Sequence, residues 1–413
     1  MAGRSSVRDR SRARVIGLLR SRGVISQADI ARETGLSRTT VSGVVAELRQ
    51  EGLVVEAVAG AVQVRSESRG GRPPVPISLS PSLGAAVGVD FGHTHVRVAV
   101  ADLGHRVLAE REAQLYVDAN ARTALDAAAG LVEDVLAEAG VARSTVLGVG
   151  MGLPGPVDRV RGVVGSASIL PGWVGVRAAD ELSARIGLPV HVDNDANLGA
   201  IAEHSLGAGR GCSDLAYIKA STGIGCGLVL SGQPYRGSAG TAGEIGHMCV
   251  DEGGAFCYCG NRGCLETLAS GLAIVDMLQR GQGSSGHRLS LGAVVEFAES
   301  GHPACRRAIA DAGRHIGVAV ANLCNLINPQ RVVVGGQLGL AGEILLLPLR
   351  DSFLRYTVQA AADSVDIVSG QLGDRAEVLG AVALGLRSAE LSLLRARQAT
   401  WREGTGSAIR SSN

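Results

Sequence analysis

Four candidate metal ligands, one imidazole and three closely spaced thiols, lie within eighteen positions of this sequence, flanked by the carboxylates of Glu244 and Glu266. The four are His247, Cys257, Cys259 and Cys264. Zinc binds imidazole nitrogen and thiolate sulfur, and its structural sites use four such ligands in a tetrahedron. The spacing therefore predicts a structural zinc site, whose four protein ligands leave no position open for a reactive water.

Two other interpretations of these cysteines are weaker. Clustered cysteines can be small apolar packing residues, or they can pair in disulfides. Cys257 and Cys259 are separated by a single residue, which is poor geometry for a bridge, and no signal peptide indicates an oxidising compartment. Gly260 and Gly263 permit the tight turns that would bring three sulfurs to one ion.

Length and charge distribution indicate several domains and a nucleic-acid-binding end. A chain of 413 residues exceeds one ordinary hydrophobic core, so two or three domains are expected. Residues 1–80 contain 13 Arg and 7 acidic residues, a net charge of +6 against +1 for the whole chain. This asymmetry is typical of a DNA-binding segment on a mildly acidic body. Without a signal peptide or a membrane-length apolar run, we expect a cytoplasmic protein with no membrane partner.

Residues 12–50 carry the pattern of a helix-turn-helix. A capping box from Ser26 to Asp29 opens the second helix, Gly35 ends it, and Ser37 caps the third. The third helix has one apolar stripe at i, i+3, i+4 and i+7, formed by Val41, Val44, Val45 and Leu48. Its polar start would enter a major groove. The candidate DNA contacts are Gln27, Ser37, Arg38, Thr39, Thr40 and Ser42. The alternative is a small helical bundle with a solvated Arg face.

Residues 53–65 are predicted to form a hairpin, a candidate wing. The stretch that follows, residues 66–74, has two interpretations that the sequence leaves open. It could be a flexible linker. It could also be an arm whose Arg69 and Arg72 enter a minor groove, since a narrow groove attracts Arg. We expect residues 1–80 to form the DNA-binding domain together with this linker.

The remaining chain predicts an α/β body built twice on one plan. Expected elements are strands at 85–90, 95–101, 106–114 and 146–151 and a helix at 120–140. The order strand, glycine-rich turn, strand recurs at residues 215–230. We therefore expect a body over residues 81–400, with a small lobe at about 85–196 plus a C-terminal helix and a large lobe at about 197–381. The tail, 401–413, is expected to be disordered.

An amide and a carboxylate, Asn194 and Asp195, follow a short predicted strand. A carboxylate beside an amide at a strand end can hydrogen-bond to two vicinal hydroxyls. Asp195 could also act as a general base toward one of them. Alternatively, the pair is an Asx turn that caps the next helix.

These motifs together resemble the signature of the ROK family (repressors, open reading frames and kinases), over about residues 10–390. The resemblance rests on E-x-G-H at 244–247, C-x-C-G-x-x-G-C-x-E at 257–266, N-D-A-N at 194–197 and D-x-G-x-T at 90–94. It implies a winged helix-turn-helix followed by a two-lobed actin-like (ribonuclease H-like) sugar-kinase fold, the arrangement of the family's transcriptional regulators. It further implies sugar contacts by Asn194, Asp195, Glu244, His247 and Glu266. Asp195 would be the catalytic base in kinase members, and His247 would turn its second ring nitrogen toward the sugar.

The half of the motif set that would hold a nucleotide departs from the family's kinases. The resemblance places nucleotide contacts at Asp90, Gly92, Thr94, Thr222, Gly223 and Gly335. Kinase members usually read DxGGT, GTGIGGG and GGG. This chain replaces glycines of those turns with His93, Ser221, Cys226 and Gln337. Each change is expected to place a side chain where backbone should approach phosphate or adenosine.

The sequence therefore predicts a sugar-responsive transcriptional regulator, a repressor, with no kinase activity. Its expected partners are operator DNA, a carbohydrate effector and further copies of itself in a dimer or tetramer, and its expected cofactor is structural Zn²⁺. The alternative is a glucokinase-like sugar kinase that uses ATP and Mg²⁺ and carries a regulatory DNA-binding domain. A zinc-stapled scaffold without a ligand would leave Asp195, Glu244 and Glu266 without a role.

Overall fold

The computed structural model describes residues 7–56, 76–80, 83–158, 163–164, 169–282 and 289–388. These residues form an N-terminal head and a body with two lobes, each lobe built on a five-stranded sheet. Among them, no helix is both long enough and apolar enough to cross a membrane.

The head consists of three helices and a small antiparallel sheet. Its elements are α1 (Val7–Arg22), β1 (Val24–Ser26), α2 (Gln27–Thr34), α3 (Arg38–Gln50), β2 (Val54–Glu56) and β3 (Pro76–Leu79). Ser26 Oγ accepts a hydrogen bond from Asp29 N at 3.2 Å, and Ser37 Oγ accepts one from Thr40 N at 3.1 Å. Each hydroxyl satisfies a backbone donor that the start of its helix leaves unpaired. Gly35 ends α2 with φ 69°, and the apolar stripe of α3 is buried, so the predicted helix-turn-helix is confirmed.

The wing differs from its prediction. The sequence predicts both hairpin strands within residues 53–65, but β2 pairs with β3, and Val54 lies opposite Leu79. The segment at β3 takes the return position because Ile77 and Leu79 alternate inward and complete the core of the head.

This pairing also corrects the linker interpretation of residues 66–74. They belong to the connection between the two wing strands, residues 57–75, which lies outside the described residues together with Arg69 and Arg72. The head instead joins the body through residues 80–84.

The small lobe comes next in the chain. Its elements are β4 (Ala85–Phe91), β5 (His95–Asp102), β6 (Val107–Gln114), α4 (Ala121–Ala139), β7 (Val146–Leu153), β8 (Val157–Asp158), β9 (Val163–Val164), α5 (Ala178–Ile186) and β10 (Val190–Asn194). Its main sheet has the order β6-β5-β4-β7-β10. The first three strands are antiparallel neighbours, and β4, β7 and β10 run parallel.

The large lobe repeats this plan. Its elements are α6 (Asp195–Ser205), β11 (Leu215–Ala220), β12 (Ile224–Leu230), β13 (Gln233–Tyr235), α7 (Glu266–Ala269), α8 (Gly271–Gln282), α9 (Leu291–Glu299), α10 (Pro303–Ile327), β14 (Arg331–Gly335), α11 (Glu343–Tyr356), α12 (Gln359–Ala362) and β15 (Asp366–Ser369). Its sheet order, β13-β12-β11-β14-β15, again places the third, second, first, fourth and fifth strands side by side. The predicted duplication is confirmed.

A last helix, α13 (residues 376–388), returns to the small lobe. Its Val378, Val382 and Leu386 share an apolar cluster with Ala86 of β4 and Ala99 of β5. The helix therefore covers the small-lobe sheet while its first turn lies beside the large-lobe strands, since Glu377 accepts a hydrogen bond from Tyr217 of β11.

The head is also packed against the body. Leu103, in the turn between β5 and β6, packs on the core of the head and on the cluster beneath the small-lobe sheet. Gly23 and Gly104 approach so closely that a Cβ added to Gly23 would lie 2.8 Å from the carbonyl oxygen of Gly104. Head and body therefore meet through a second contact besides the connecting chain.

Candidate metal centre and cleft

The predicted metal ligands converge on one point. The ligand atoms of His247, Cys257, Cys259 and Cys264 all lie within 4.8 Å of one another. Cys259 Sγ is 3.7 Å from Cys264 Sγ, and His247 Nδ1 is 3.7 Å from Cys257 Sγ. Tetrahedral zinc with Zn–S bonds of about 2.3 Å would separate its sulfur ligands by about 3.8 Å. All three cysteines are free thiols, so donor type and spacing both fit zinc.

Tight turns hold the metal loop, residues 243–266, in this shape. Gly263 has φ 68°, and a Cβ there would lie 1.5 Å from the carbonyl oxygen of Asp251. Gly260 has φ 94°, and Cys257 N donates to Asn261 O at 2.8 Å across the same turn. A side chain at either glycine would be strained, as the sequence predicted.

Two carboxylates face the imidazole from opposite sides. His247 Nε2 is 3.9 Å from Glu244 Oε2, and His247 Nδ1 is 3.8 Å from Glu266 Oε2. Desolvation raises the pKa of Glu244; His247 opposes the shift, and the carboxylates of Asp195 and Glu266 add to it. Asp195 and Glu266 therefore both lie within electrostatic reach of Glu244, which is carried by the metal loop.

Tyr258 belongs to this site and was missed from the sequence. Its hydroxyl donates to Glu266 Oε2 at 2.7 Å, and its ring meets that of His247 edge to face at 5.5 Å. Burial and the nearby Glu266 raise the pKa of Tyr258. Its place between the ligands Cys257 and Cys259 was the available signal, since a residue between two converging ligands projects away from the metal.

Asn194 and Asp195 stand where β10 meets α6. Asn194 Oδ1 caps α6 by accepting from Asn197 N at 3.1 Å, and its Nδ2 donates to Gly155 O at 2.9 Å. The Asx-cap alternative therefore describes Asn194 correctly. Asp195 Oδ1 accepts from Ala196 N at 2.7 Å and from Asn194 Nδ2 at 3.1 Å, and its Oδ2 accepts from Lys219 Nζ at 2.8 Å.

Lys219 is a second residue that sequence reasoning missed. It lies near the end of β11, and its ammonium is also 3.8 Å from Glu377 Oε1. The signal was compositional, because Lys219 is the only lysine among 40 basic residues. Burial opposes its charge, but Asp195, Glu377 and Asp90 together raise the pKa of Lys219 above its ordinary value.

The turn after β4 is covered by histidines. The ring of His95 lies over Gly92, since a Cβ added to Gly92 would be 2.2 Å from His95 Cε1. His95 Nε2 is 3.4 Å from Asp90 Oδ2, and the neighbouring His93 Nδ1 is 2.9 Å from Asp118 Oδ1. Thr94 joins this turn to the segment after β6 by accepting from Leu115 N at 3.1 Å.

The prediction that side chains crowd the second and third glycine-rich turns is wrong for Cys226. Cys226 does not fill the turn at Thr222 and Gly223; it is buried in the large-lobe core with Ile224 and Leu228, two positions away on either side. Side chains at this spacing share a face of a strand. Side chains from elsewhere in the large lobe lie close to the other positions of these two turns. A Cβ at Gly223 would meet Glu266 Oε1 at 2.6 Å, one at Gly335 would meet the Tyr217 hydroxyl at 2.6 Å, and Gln337 faces Gly292 of α9.

The predicted DNA-contacting residues lie at the starts of α2 and α3. Ser37, Arg38, Thr39, Thr40 and Ser42 are exposed, and Gln27 is half-buried. The hydroxyls of Ser37 and Thr40 bond to each other at 2.8 Å. Several head arginines form ion pairs within the head: Arg8 with Glu47, Arg12 with Glu51, Arg22 with Glu33, Arg32 with Asp29 and Arg49 with Glu56. Arg38 has no such partner among the described residues and stands at the start of α3.

Comparison with known proteins agrees with this geometry. Residues 86–388 match the ROK family, and residues 9–61 match the MarR family. A xylose repressor from Caldicellulosiruptor bescii is 31% identical over 371 residues, which cover 87% of this chain and 91% of the repressor.

Two solved structures are similar over different extents. A ROK family transcriptional regulator, described as a homologue of the E. coli Mlc protein, matches with a TM-score of 0.68 and 26% identity, covering 93% of this chain and 96% of its own. A ROK family glucokinase from Streptomyces griseus, in complex with glucose and AMPPNP, matches with a TM-score of 0.65 and 31% identity, covering 74% of this chain and 100% of its own. The chain belongs to the ROK family and joins a MarR-type winged helix-turn-helix to a two-lobed, actin-like α/β body.

Proposed function

We propose that the protein is a sugar-responsive transcriptional repressor that does not phosphorylate its effector. The observation that carries the proposal is the convergence of Asp195, Glu244 and Glu266 beside the metal loop, in a chain whose head exposes the start of α3. The likeness to a xylose repressor and to a ROK family regulator supports this class of function.

The carbohydrate is proposed to bind at the metal loop. The residues offered to its hydroxyls are Asn194, Asp195, Glu244, His247 and Glu266. Carboxylates accept hydrogen bonds from hydroxyls, and the amide and the imidazole can either donate or accept. Bound Zn²⁺ would anchor the loop through His247, Cys257, Cys259 and Cys264. With Nδ1 of His247 turned to the thiols, Nε2 stays on the side of Glu244, and metal ligation fixes this tautomer.

The operator is proposed to bind along the start of α3. Capping occupies the hydroxyls of Ser37 and Thr40, so Arg38, Thr39 and Ser42 are the side chains best able to reach base edges. One helix-turn-helix contacts one half-site of a two-fold symmetric operator. We therefore propose that the protein binds DNA as a dimer or a dimer of dimers, with half-sites separated by a whole number of helical turns.

A sugar kinase with a regulatory head is the second candidate. The likeness to a glucokinase favours it, and so does the presence of Asp195 at the sugar side of the cleft. Against it, Asp195 is paired with Lys219 and Gly92 is covered by His95. Phosphoryl transfer depends on exact placement of the phosphates, so a covered turn is a large obstacle.

The test joins two measurements on zinc-loaded protein. Calorimetry with xylose, glucose and other monosaccharides should find one that binds, and that sugar should change the affinity for DNA taken from upstream of the protein's own gene. An ADP-release assay with the same sugars and Mg·ATP should show no turnover. Turnover at about one per second or faster would establish the kinase instead, and a protein that binds no sugar would contradict the proposed effector site.

The DNA contacts have their own test. Arg38→Ala should cost about 1–3 kcal/mol of specific binding, whereas Arg32→Ala on α2 should not, since Arg32 is paired with Asp29.

We further propose that Arg69 and Arg72 reach a minor groove from between the wing strands. Arg72→Ala should then weaken binding to operators with A·T flanks more than to those with G·C flanks. Equal losses on both flanks would exclude minor-groove reading.

A further inference from the structure

We propose that the ammonium of Lys219 is a built-in cation that occupies the carboxylate cluster of Asp90, Asp195 and Glu377 in place of a divalent metal ion. On this proposal Lys219 sets the specificity of the cleft. It keeps Asp195 as a hydrogen-bond acceptor for a neutral sugar and closes the cation position that Mg·nucleotide would need. The inference deepens the proposed function and rests on the body binding sugar without phosphorylating it.

Both oxygens of Asp195 already accept hydrogen bonds from protein donors. Oδ1 accepts from Ala196 N and Asn194 Nδ2, and Oδ2 accepts from Lys219 Nζ at 2.8 Å. Mg²⁺ demands near-ideal octahedral oxygen ligands at about 2.0–2.1 Å. A metal at Oδ2 would have to displace the ammonium or bind beside it, and two cations at such a distance repel strongly where water is scarce.

Two further carboxylates, Glu377 and Asp90, lie within electrostatic reach of the Lys219 ammonium, and Asp90 is also within reach of Glu377. Glu377 Oε1 lies 3.8 Å from Lys219 Nζ, and its side chain is 5% exposed, as is that of Asp90. Asp90 Oδ1 is buried without a hydrogen-bond partner among the described residues. Buried carboxylates need a cation, a proton or several donors close by. Here a lysine supplies the cation, and it is the only lysine in the chain.

The ion pair also affects what Asp195 can do to a sugar hydroxyl. If Asp195 took a proton from the sugar, Lys219 would face a neutral acid, and its half-buried ammonium would lose its closest counter-charge. Accepting a hydrogen bond without taking the proton leaves the pair intact. The geometry therefore suits recognition of a hydroxyl and opposes its deprotonation.

The first experiment replaces the lysine with an uncharged side chain of similar length. Zinc-loaded Lys219→Met protein is titrated with Mn²⁺ and free ion is followed by electron paramagnetic resonance. The variant should gain one Mn²⁺ site at least about tenfold tighter than any in the wild-type protein, because three clustered carboxylates have lost their cation. Lys219→Arg, which retains the charge, should gain none, and Lys219→Met with Asp195→Asn should lose the gained site. A folded Lys219→Met protein that binds Mn²⁺ no better than wild type would overturn the proposal.

A second measurement needs only the wild-type protein and so decides the matter even if the variants fail to fold. Because the chain has a single lysine, labelling with [¹⁵N]lysine gives one side-chain ammonium signal. Mn²⁺ should leave that signal unbroadened, since the cluster is already occupied. Selective broadening would show a metal entering beside Lys219 and would overturn the proposal. A wild-type protein that binds no sugar would contradict the repressor function, whereas the Mn²⁺ results would still test the role of Lys219.

Discussion

Two groups of acids in the cleft, one at the metal loop and one around Lys219, have opposite surroundings. On the metal-loop side, the side chain of Glu244 is 40% exposed and its nearest basic group is the imidazole of His247 at 3.9 Å. In the group around Lys219, Asp195 is 13% exposed and bonded to the ammonium, and Asp90 faces the ring of His95. A sequence motif states which residues are present, but the neighbours of their oxygens decide whether a ligand can use them.

The largest effect is expected from removing the metal site, because the acids of the metal loop depend on it for their placement. Cys257→Ser deletes one of four ligands, and structural zinc contributes about 10–16 kcal/mol in small zinc-binding peptides. We expect loss of zinc and, because Glu244, His247 and Glu266 are carried by the metal loop, loss of sugar binding too. Metal analysis and calorimetry check both.

Cys249→Ser is the matched control, since Cys249 is an exposed thiol in the same loop but outside the ligand set. It should keep both zinc and sugar. A Cys257→Ser protein with full sugar affinity would show that the loop holds its shape without the metal.

The next largest effect should follow from Glu244→Ala. A hydrogen bond to a charged group contributes about 1.5–3 kcal/mol, so sugar affinity should fall by about ten- to a hundredfold. Glu252→Ala, an exposed acid in the same loop, should bind sugar as the wild-type protein does. Equal affinities for all three proteins would remove Glu244 from the sugar site.

The group around Lys219 can be tested through Glu377. Burial raises its pKa from 4.5 to about 7; Lys219 opposes this shift, and Asp90 and Asp195 add to it. The folded state therefore binds this proton more tightly than the unfolded state, and the resulting stabilisation is lost as pH rises through 7.

Between about pH 6 and about pH 8, the free energy of unfolding should fall by about 1 kcal/mol from this group alone. Glu377→Gln should remove that part of the slope. The check is denaturant unfolding of both proteins across this range in the presence of zinc. Parallel curves would mean that Glu377 is ionised throughout.

The smallest expected change comes from Tyr258→Phe. The variant loses the hydrogen bond to Glu266 but keeps the ring beside His247. Tyr258 positions Glu266 and is not itself offered to the sugar, so sugar affinity should fall by only a few-fold while zinc content stays unchanged. Zinc loss in this variant would reassign Tyr258 to the support of the metal site.

Local patterns predicted the helix-turn-helix, the duplicated sheets and the metal ligands, because each depends on residues close together in sequence. The pairing of β2 with β3 was missed since its strands are joined by a long connection and each is very short. The contact between Lys219 and Asp195 joins the start of α6 to β11 across 24 positions, which no local spacing encodes. The error at Cys226 was avoidable: Ile224 and Leu228 mark its face of β12 as the core side.

The seat of Leu103 in the core of the head has a mechanical consequence. A DNA-binding domain tethered only by the five residues 80–84 would sample many orientations and lose that freedom on meeting an operator. Packing through Leu103 restricts the orientation of the head already in the folded protein, so less conformational entropy is lost when the head binds DNA. Because Leu103 lies between β5 and β6 and packs in the head, we expect a tilt of the small-lobe sheet to turn the head and to change the angle of α3 to the groove.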